Sequence, residues 1–310
     1  MNKQIFIKRE AQGEFGKAPE ERTAEERIQF GIINIDKPKG PTSHQVSDYV
    51  KKILKVSKAG HSGTLDPQVS GVQPVAVGNA TRITLFLLTA PKEYVCLMHL
   101  HKDISQEELL EKSKEFIGKI RQLPPVKSAV KREERTREIY ELEIIEKKDR
   151  EVLFRVKCQA GTYIRKLCHD LGQALGTGAH MAELRRTQAG PFREEDNLVT
   201  LNDLQDALKF HEEGNDKFLL HCIQPVENAL KYLSKCWILD NSIQSLTHGR
   251  DLAIPGISKL ENFRKGEIVA ILTLKGELVA VGEAAMSAVE INTKEKGIAV
   301  TVSKVFMPAV

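Results

Sequence analysis

Lys58-Ala-Gly-His-Ser-Gly-Thr-Leu-Asp-Pro67, followed by Gln68-Val-Ser-Gly-Val-Gln-Pro74, is the stretch around which the rest of the chain is read. Gly60, Gly63 and Gly71, with Pro67 and Pro74, interrupt it too often for a helix or a long strand. One acid, Asp66, stands between Leu65 and Pro67. Pro67 biases Asp66 toward an extended backbone and brings no amide donor. Taken alone, the stretch favours a turn whose aspartate caps its own backbone. A structured loop holding a single carboxylate is also a common place for chemistry.

The flanking sequence predicts regular elements. Upstream, residues 30–36 read as a strand stopped by Lys37-Pro-Lys-Gly-Pro41. Thr42 or Ser43 then caps a helix to about Leu54, with Val46, Val50, Ile53 and Leu54 on one face. Thr23 and Glu26 give residues 1–28, an arm, one capped helix. Downstream come a buried-type segment at 72–77, a helix at 82–88 and a strand at 93–100. Ser105 and Glu108 open a helix with Leu109, Leu110, Phe116 and Ile117 inward, followed by a loop at 122–130. Residues 137–146 and 152–158 read as paired strands. Gly161-Thr-Tyr-Ile-Arg165 opens a helix bearing Leu167, Leu171 and Leu175, ended by Gly176 and Gly178. A short segment at 181–186 and a helix capped by Thr200 and Asp203 follow, and residues 209–235 form a crossing segment. Strands at 265–272, 277–281 and 297–302 predict a small all-β module. Strands and helices alternate irregularly, so the fold class is α+β and not doubly wound.

A length of 310 residues fits two or three domains, and 41% hydrophobic with 28% charged residues is an ordinary soluble composition. No apolar run approaches the roughly 18 residues of a membrane span. The opening Met1-Asn-Lys-Gln-Ile-Phe-Ile-Lys-Arg9 is too polar for a signal peptide. Five cysteines without a C-x-x-C pair argue against a zinc ribbon or a disulfide framework and for reduced, cytoplasmic thiols. Net charge is only +4, but the cations cluster. Lys37, Lys39, Lys51, Lys52, Lys55 and Lys58 precede the Asp66 loop. Lys127, Lys131, Arg132, Arg135 and Arg137 form a second group, and Arg165, Lys166, Arg185 and Arg186 a third. Such clusters fit a polyanionic ligand, or simply solvated surfaces.

Familiar catalytic signatures are absent from the sequence. There is no H-E-x-x-H, phosphate-binding P-loop, dinucleotide fingerprint or G-x-S-x-G. His99 and His101 share a strand face without a suitably spaced third ligand. Asp66 remains, with Arg165, Tyr94, Tyr140 and Tyr163 in the same region. A carboxylate can attack covalently, an arginine can hold it charged, and a tyrosine can stack on an extruded base. Packing is the commoner fate of tyrosines, and it is the reading for Tyr140, Tyr49 and Tyr232.

Asp36-Lys-Pro-Lys-Gly-Pro-Thr-Ser43, the Asp66 stretch, Gly161-Thr-Tyr-Ile-Arg165, and Gly178-Ala-His180 with Leu184-Arg-Arg186 together resemble the TruB family of pseudouridine synthases. His248-Gly-Arg-Asp-Leu-Ala-Ile-Pro-Gly256 and Leu272-Thr-Leu-Lys-Gly-Glu277 resemble a PUA RNA-binding domain. The whole resembles archaeal dyskerin-like members, the catalytic subunits of box H/ACA ribonucleoproteins. The resemblance implies a catalytic domain at 29–235 with a mixed or antiparallel sheet flanked by helices. It implies a PUA domain at 236–310, on which the arm at 1–28 can pack.

For the site, the resemblance implies Asp66 as nucleophile, Arg165 as its partner, Tyr94 stacking on the flipped base and Tyr163 beside them. His61, Leu184 and Lys37 would contact substrate. Lys39, Lys58, Lys127, Arg186, His248, Gly249, Pro255 and Gly256 would contact RNA. It implies no metal or cofactor, and as partners a guide RNA, rRNA, possibly tRNA, and small core proteins. A stand-alone enzyme for the tRNA T-loop, a non-catalytic RNA scaffold and an aspartyl-phosphate transferase are the alternatives. The complete set of acid, arginine and tyrosines argues against the scaffold, and the lack of magnesium-holding motifs against the transferase. Gln68 and Gln73 depart from the family pattern, and Gln73 implies looser packing or a position nearer the surface.

Overall fold

The computed structural model describes residues 4–123 and 133–309. Lys127, Lys131 and Arg132, with most of the loop expected at 122–130, lie outside the described residues. The chain forms two compact units, one of Met1–Ile32, Ala76–Ile83 and His211–Val310, the other of Ile33–Val75 and Thr84–Phe210. The crossing segment thus groups with the arm and the C-terminal strands.

The unit carrying Asp66 is built on a mixed sheet. Its strand order is Gly31–Lys37, Ser70–Val77, Ala179–Ala189, Lys92–Leu100, Glu151–Cys158, Arg135–Lys148 and Gly118–Gln122. Ala179–Ala189 runs parallel to Ser70–Val77, and antiparallel to Lys92–Leu100. The successive pairs from Lys92–Leu100 outward are antiparallel. Val152, Phe154, Val156 and Cys158 alternate into the core as their spacing requires. The helix Ile164–Ala174 buries Leu167, Cys168 and Leu171 in that same core. The helix Ser43–Ile53 is capped by Thr42, in a reciprocal box with Gln45, and buries Val46 and Val50.

Two expectations fail in detail. Leu110 and Ile117 are exposed, at 38% and 47%, while Leu109 is buried. Adjacent helical residues point about 100° apart, so Leu109 and Leu110 cannot both face inward. The helix ends at Lys114, which takes Ile117 out of register. Gln73 is fully buried, not near the surface: its amide donates to Ser43 O at 3.0 Å.

The other unit holds a sheet in the order Ile5–Ile7, Ile257–Glu261, Ser234–Ile238, Ile268–Leu272, Leu278–Ala284, Ile298–Val305 and Leu252–Ala253. Two short helices, Ile243–Thr247 and Ala288–Thr293, join its strands. The arm adds the Ile5–Ile7 strand, and buried Arg22 forks onto Glu227 at 2.8 and 2.8 Å and reaches Glu277 at 3.1 Å. No helix among the described residues is long and apolar enough to cross a membrane.

Gly71 joins the site loop to the sheet at φ +106°, where an added Cβ would lie 2.2 Å from Arg186 O. Gly71→Ala should therefore destabilise the protein by more than about 1 kcal/mol. Thermal unfolding checks this, and an unchanged midpoint would contradict the close approach of these strands.

Candidate active site

Asp66 lies on the turn between the strands Ala59–His61 and Ser70–Val77, where Val69 N–H donates to its carbonyl at 3.0 Å. Leu65, 4% exposed, roots the turn. Its N–H donates to Ser43 Oγ at 2.8 Å, and the same hydroxyl donates to its carbonyl at 3.3 Å. Beneath lie three cations that donate mainly to main-chain oxygens. Lys37 Nζ donates to Pro38 O, Pro67 O and Val69 O at 2.9, 3.2 and 2.7 Å. Arg186 Nε donates to Val72 O at 2.7 Å, and its terminal nitrogens reach Gly63 O at 3.5 and 3.4 Å. Lys92 Nζ donates to Leu87 O, Leu88 O and Ala90 O at 2.7, 3.3 and 2.7 Å. Burial lowers the pKa of Lys37 and Arg186 from their ordinary values and pulls Lys92 down to about 7.

This placement corrects two expectations. Lys37 is 0% and Arg186 1% exposed, so neither offers a free cation to substrate or to the RNA surface. Lys92 was missed altogether. A lysine just before a predicted strand gives no sign in sequence that its ammonium turns back onto a helix end.

Above the cations, Arg165 Nη2 meets Asp66 Oδ2 at 2.5 Å. Both side chains are more than half exposed, so the pair adds little stability, and its effect is to orient the carboxylate. Arg165 stands in the first turn of Ile164–Ala174, two residues after Tyr163, which is partly buried. Tyr94 sits opposite Arg186 in the strand pair, and its hydroxyl hydrogen-bonds that guanidinium. Burial raises the Tyr94 pKa, while Arg186 acts in the opposite sense. Leu184, 9% exposed, borders the core opposite Cys96. His61 packs edge-on against His44, with ring centroids 4.7 Å apart. Both His61 ring nitrogens are buried, and neither makes a well-formed hydrogen bond among the described residues. Burial, with His44 and Arg186 beside it, lowers the His61 pKa to about 4.

The remaining predicted residues lie elsewhere. Lys39 pairs with Glu183 at 3.0 Å, and Lys58 is exposed. His248, Gly249, Pro255 and Gly256 belong to the other unit, where His248 and Gly249 follow a short helix and Gly256 is packed against Ser242. Among the described residues no His, Cys, Asp and Glu group is arranged to hold a metal. The sequence did not reveal that His180 lies beside His99 and His101, at ring centroid distances of 5.2 and 5.3 Å, because strand register is a long-range property.

Family models match along most of the chain. Residues 51–164 match the TruB family pseudouridylate synthase N-terminal domain and 165–231 the tRNA pseudouridylate synthase B C-terminal domain. Residues 234–306 match the PUA domain and 2–47 the DKCLD domain. A probable tRNA pseudouridine synthase B of Pyrococcus furiosus is 53% identical over 99% of this chain and 92% of that protein. A namesake in Methanothermobacter thermautotrophicus is 53% identical over 95% of this chain and 91% of its own. The structure is similar to a chain of a Cbf5–Nop10–Gar1 complex, with TM-score 0.94 and 53% identity, covering 100% of this chain and 95% of that one. It is also similar to a chain of an H/ACA ribonucleoprotein bound to a substrate RNA containing 2′-deoxyuridine, with TM-score 0.93 and 51% identity, covering 100% and 96%.

The buried imidazole gives a pH prediction. In the unfolded chain a histidine binds its proton near pH 6.5. Folded His61 refuses that proton until about pH 4. The unfolded state therefore binds more protons between these values, and stability should fall as pH drops from 6.5 through 4. A nitrogen-detected NMR titration should show His61 neutral at pH 5, whereas a midpoint near 6.5 would contradict its burial.

Proposed function

Because the chain belongs to the TruB family of pseudouridylate synthases, we propose that Asp66 is the nucleophile of its reaction, with the residues around Asp66 in the roles set out below. The enzyme is an RNA pseudouridine synthase. Its reaction breaks the bond between uracil N1 and ribose C1′, turns the base, and joins C5 to C1′. A proton leaves C5 and N1 gains one, so the change is redox-neutral and needs no cofactor.

The observation carrying the assignment is the half-exposed Asp66–Arg165 pair, held on a rooted loop above otherwise satisfied cations. Asp66 attacks the target uridine. Arg165 aims the carboxylate. Tyr94 stacks on the extruded base, and Tyr163 and Leu184 line the pocket. His61 stays neutral, so its ring can wedge beside the target nucleotide without bringing a proton. Lys39 and Lys58 contact phosphates. Residues 236–310, through the surface around His248, Gly249, Pro255 and Gly256, hold the guide RNA, and 29–235 carry out the isomerisation.

The substrate we propose is rRNA selected by a box H/ACA guide RNA, with small core proteins as partners. Similarity across the full chain to Cbf5 in complexes with Nop10, Gar1 and substrate RNA supports this reading. The names of the curated relatives support a second one, unguided action on tRNA. We place the enzyme in the cytoplasm, where its five buried cysteines, none of them in a disulfide, would stay reduced.

Release of tritium from uridine labelled at C5 tests both points. Asp66→Asn should lower the rate by a factor on the order of 10^3 or more while leaving RNA affinity intact. Arg165→Lys should lose most activity, since the compact lysine ammonium does not reproduce the position and planar geometry of the guanidinium that meets Asp66 Oδ2. Turnover by Asp66→Asn would sink the nucleophile assignment. With guide RNA and core proteins the enzyme should act on the paired rRNA target; equal rates on bare tRNA without them would favour the second reading.

A further inference from the structure

Gln122 is the last residue of the edge strand Gly118–Gln122, and it is 2% exposed. Its side chain reaches across to the main chain of Tyr163 and grips both polar groups there. Tyr163 N–H donates to Gln122 Oε1 at 2.9 Å, and Gln122 Nε2 donates to Tyr163 O at 3.1 Å. The site gripped is the N-cap of the helix that carries Arg165, and its own side chain makes no capping bond. The same Tyr163 carbonyl accepts the first helical bond, from Leu167 N–H at 3.0 Å. One buried amide thus occupies the remaining acceptor position and the donor of the residue at which the helix begins.

We propose that Gln122 is a positioning residue for the isomerisation. By locking the Tyr163 main chain it fixes both the Tyr163 ring and, two residues on, the height at which the Arg165 guanidinium meets Asp66. This rests on the reading of Asp66 and Arg165 as the reacting pair. The preceding hydroxyl, Thr162 Oγ1, turns back to Gln159 O at 2.7 Å and does not cap the helix. A displacement of about 1 Å at a reacting group can cost on the order of 10²-fold in rate. Gln122 touches neither Asp66 nor Arg165, so its loss should act on the chemical step through Tyr163.

The test measures single-turnover tritium release by the assembled enzyme at saturating RNA, with RNA affinity and thermal midpoint for each variant. Gln122→Met keeps the volume and removes both hydrogen bonds. Its rate should fall about 10- to 100-fold, with RNA affinity within twofold of wild type. Gln122→Glu separates positioning from simple loss of fold. Its carboxylate opposes the Tyr163 carbonyl at high pH, but once protonated it can donate to that oxygen. Its rate relative to wild type should therefore recover as pH falls, at a temperature where the protein stays folded throughout. Taking the ratio at each pH removes the contributions of Asp66, Tyr163, Arg165 and Arg135, which faces Gln122 across the strand pair. A wild-type rate in Gln122→Met, a loss confined to RNA affinity, or a pH-independent penalty in Gln122→Glu would each overturn the proposal. Asp66→Asn assayed in parallel keeps the two levels apart: if it is active, the reading of the reacting pair has failed, whatever Gln122 does.

Discussion

Buried cations bonded to main-chain carbonyls hold up the loop on which the chemistry depends. A glycine- and proline-rich loop leaves many main-chain carbonyls with no strand or helix to accept from. A buried ammonium or guanidinium without acceptors is equally costly. In this fold the two deficits cancel. Lys37 takes the carbonyls of Pro38, Pro67 and Val69, on either side of the Asp66 turn. Arg186 takes those of Val72 and Gly63. Lys92 fastens the end of the preceding helix at the root of the Tyr94 strand. Apart from the bond between Arg186 and the Tyr94 hydroxyl, the donors named here are directed at backbone, and Asp66 is left to face outward with Arg165.

That division explains why the reacting pair can be so exposed. A surface ion pair gives at most about 1 kcal/mol, and solvent screens it. Stability is supplied below, by the apolar core under Tyr94 and Leu184 and by the cation–carbonyl contacts. Above, the carboxylate stays accessible to a nucleotide. On the reading proposed for the site, the RNA itself excludes the water that now screens the pair, and the interaction strengthens when substrate is bound. His61 fits the same scheme: it is already desolvated and neutral, so a nucleotide can be received without first removing a charge.

The sequence was informative where the physics is local. Thr42, Thr23 and Ser105 cap the helices their spacing announced, and Val152, Phe154, Val156 and Cys158 alternate as a half-buried strand must. Asp66 and Arg165, 99 positions apart, could be paired from motif resemblance but not from periodicity. What was misjudged depends on contacts between distant segments. Lys37 and Arg186 were read with the basic clusters around them, because a lysine or arginine in sequence carries no mark of burial. Gln73, expected in looser packing or nearer the surface, is buried, with its amide nitrogen donating to Ser43 O while its Oε1 has no partner among the described residues. Gln122 was passed over as the edge of a loop, since its meaning lies in a strand ending beside residue 163.

This scaffold fixes where the Asp66 carboxylate stands, and does not merely supply a charge. Asp66→Glu keeps the charge and moves the oxygens outward by one methylene. Its single-turnover rate, measured in the assembled complex with saturating RNA, should fall on the order of 10²-fold or more with RNA affinity unchanged. A rate equal to wild type would contradict the account, because the loop and the cations beneath it would then not determine the geometry of attack.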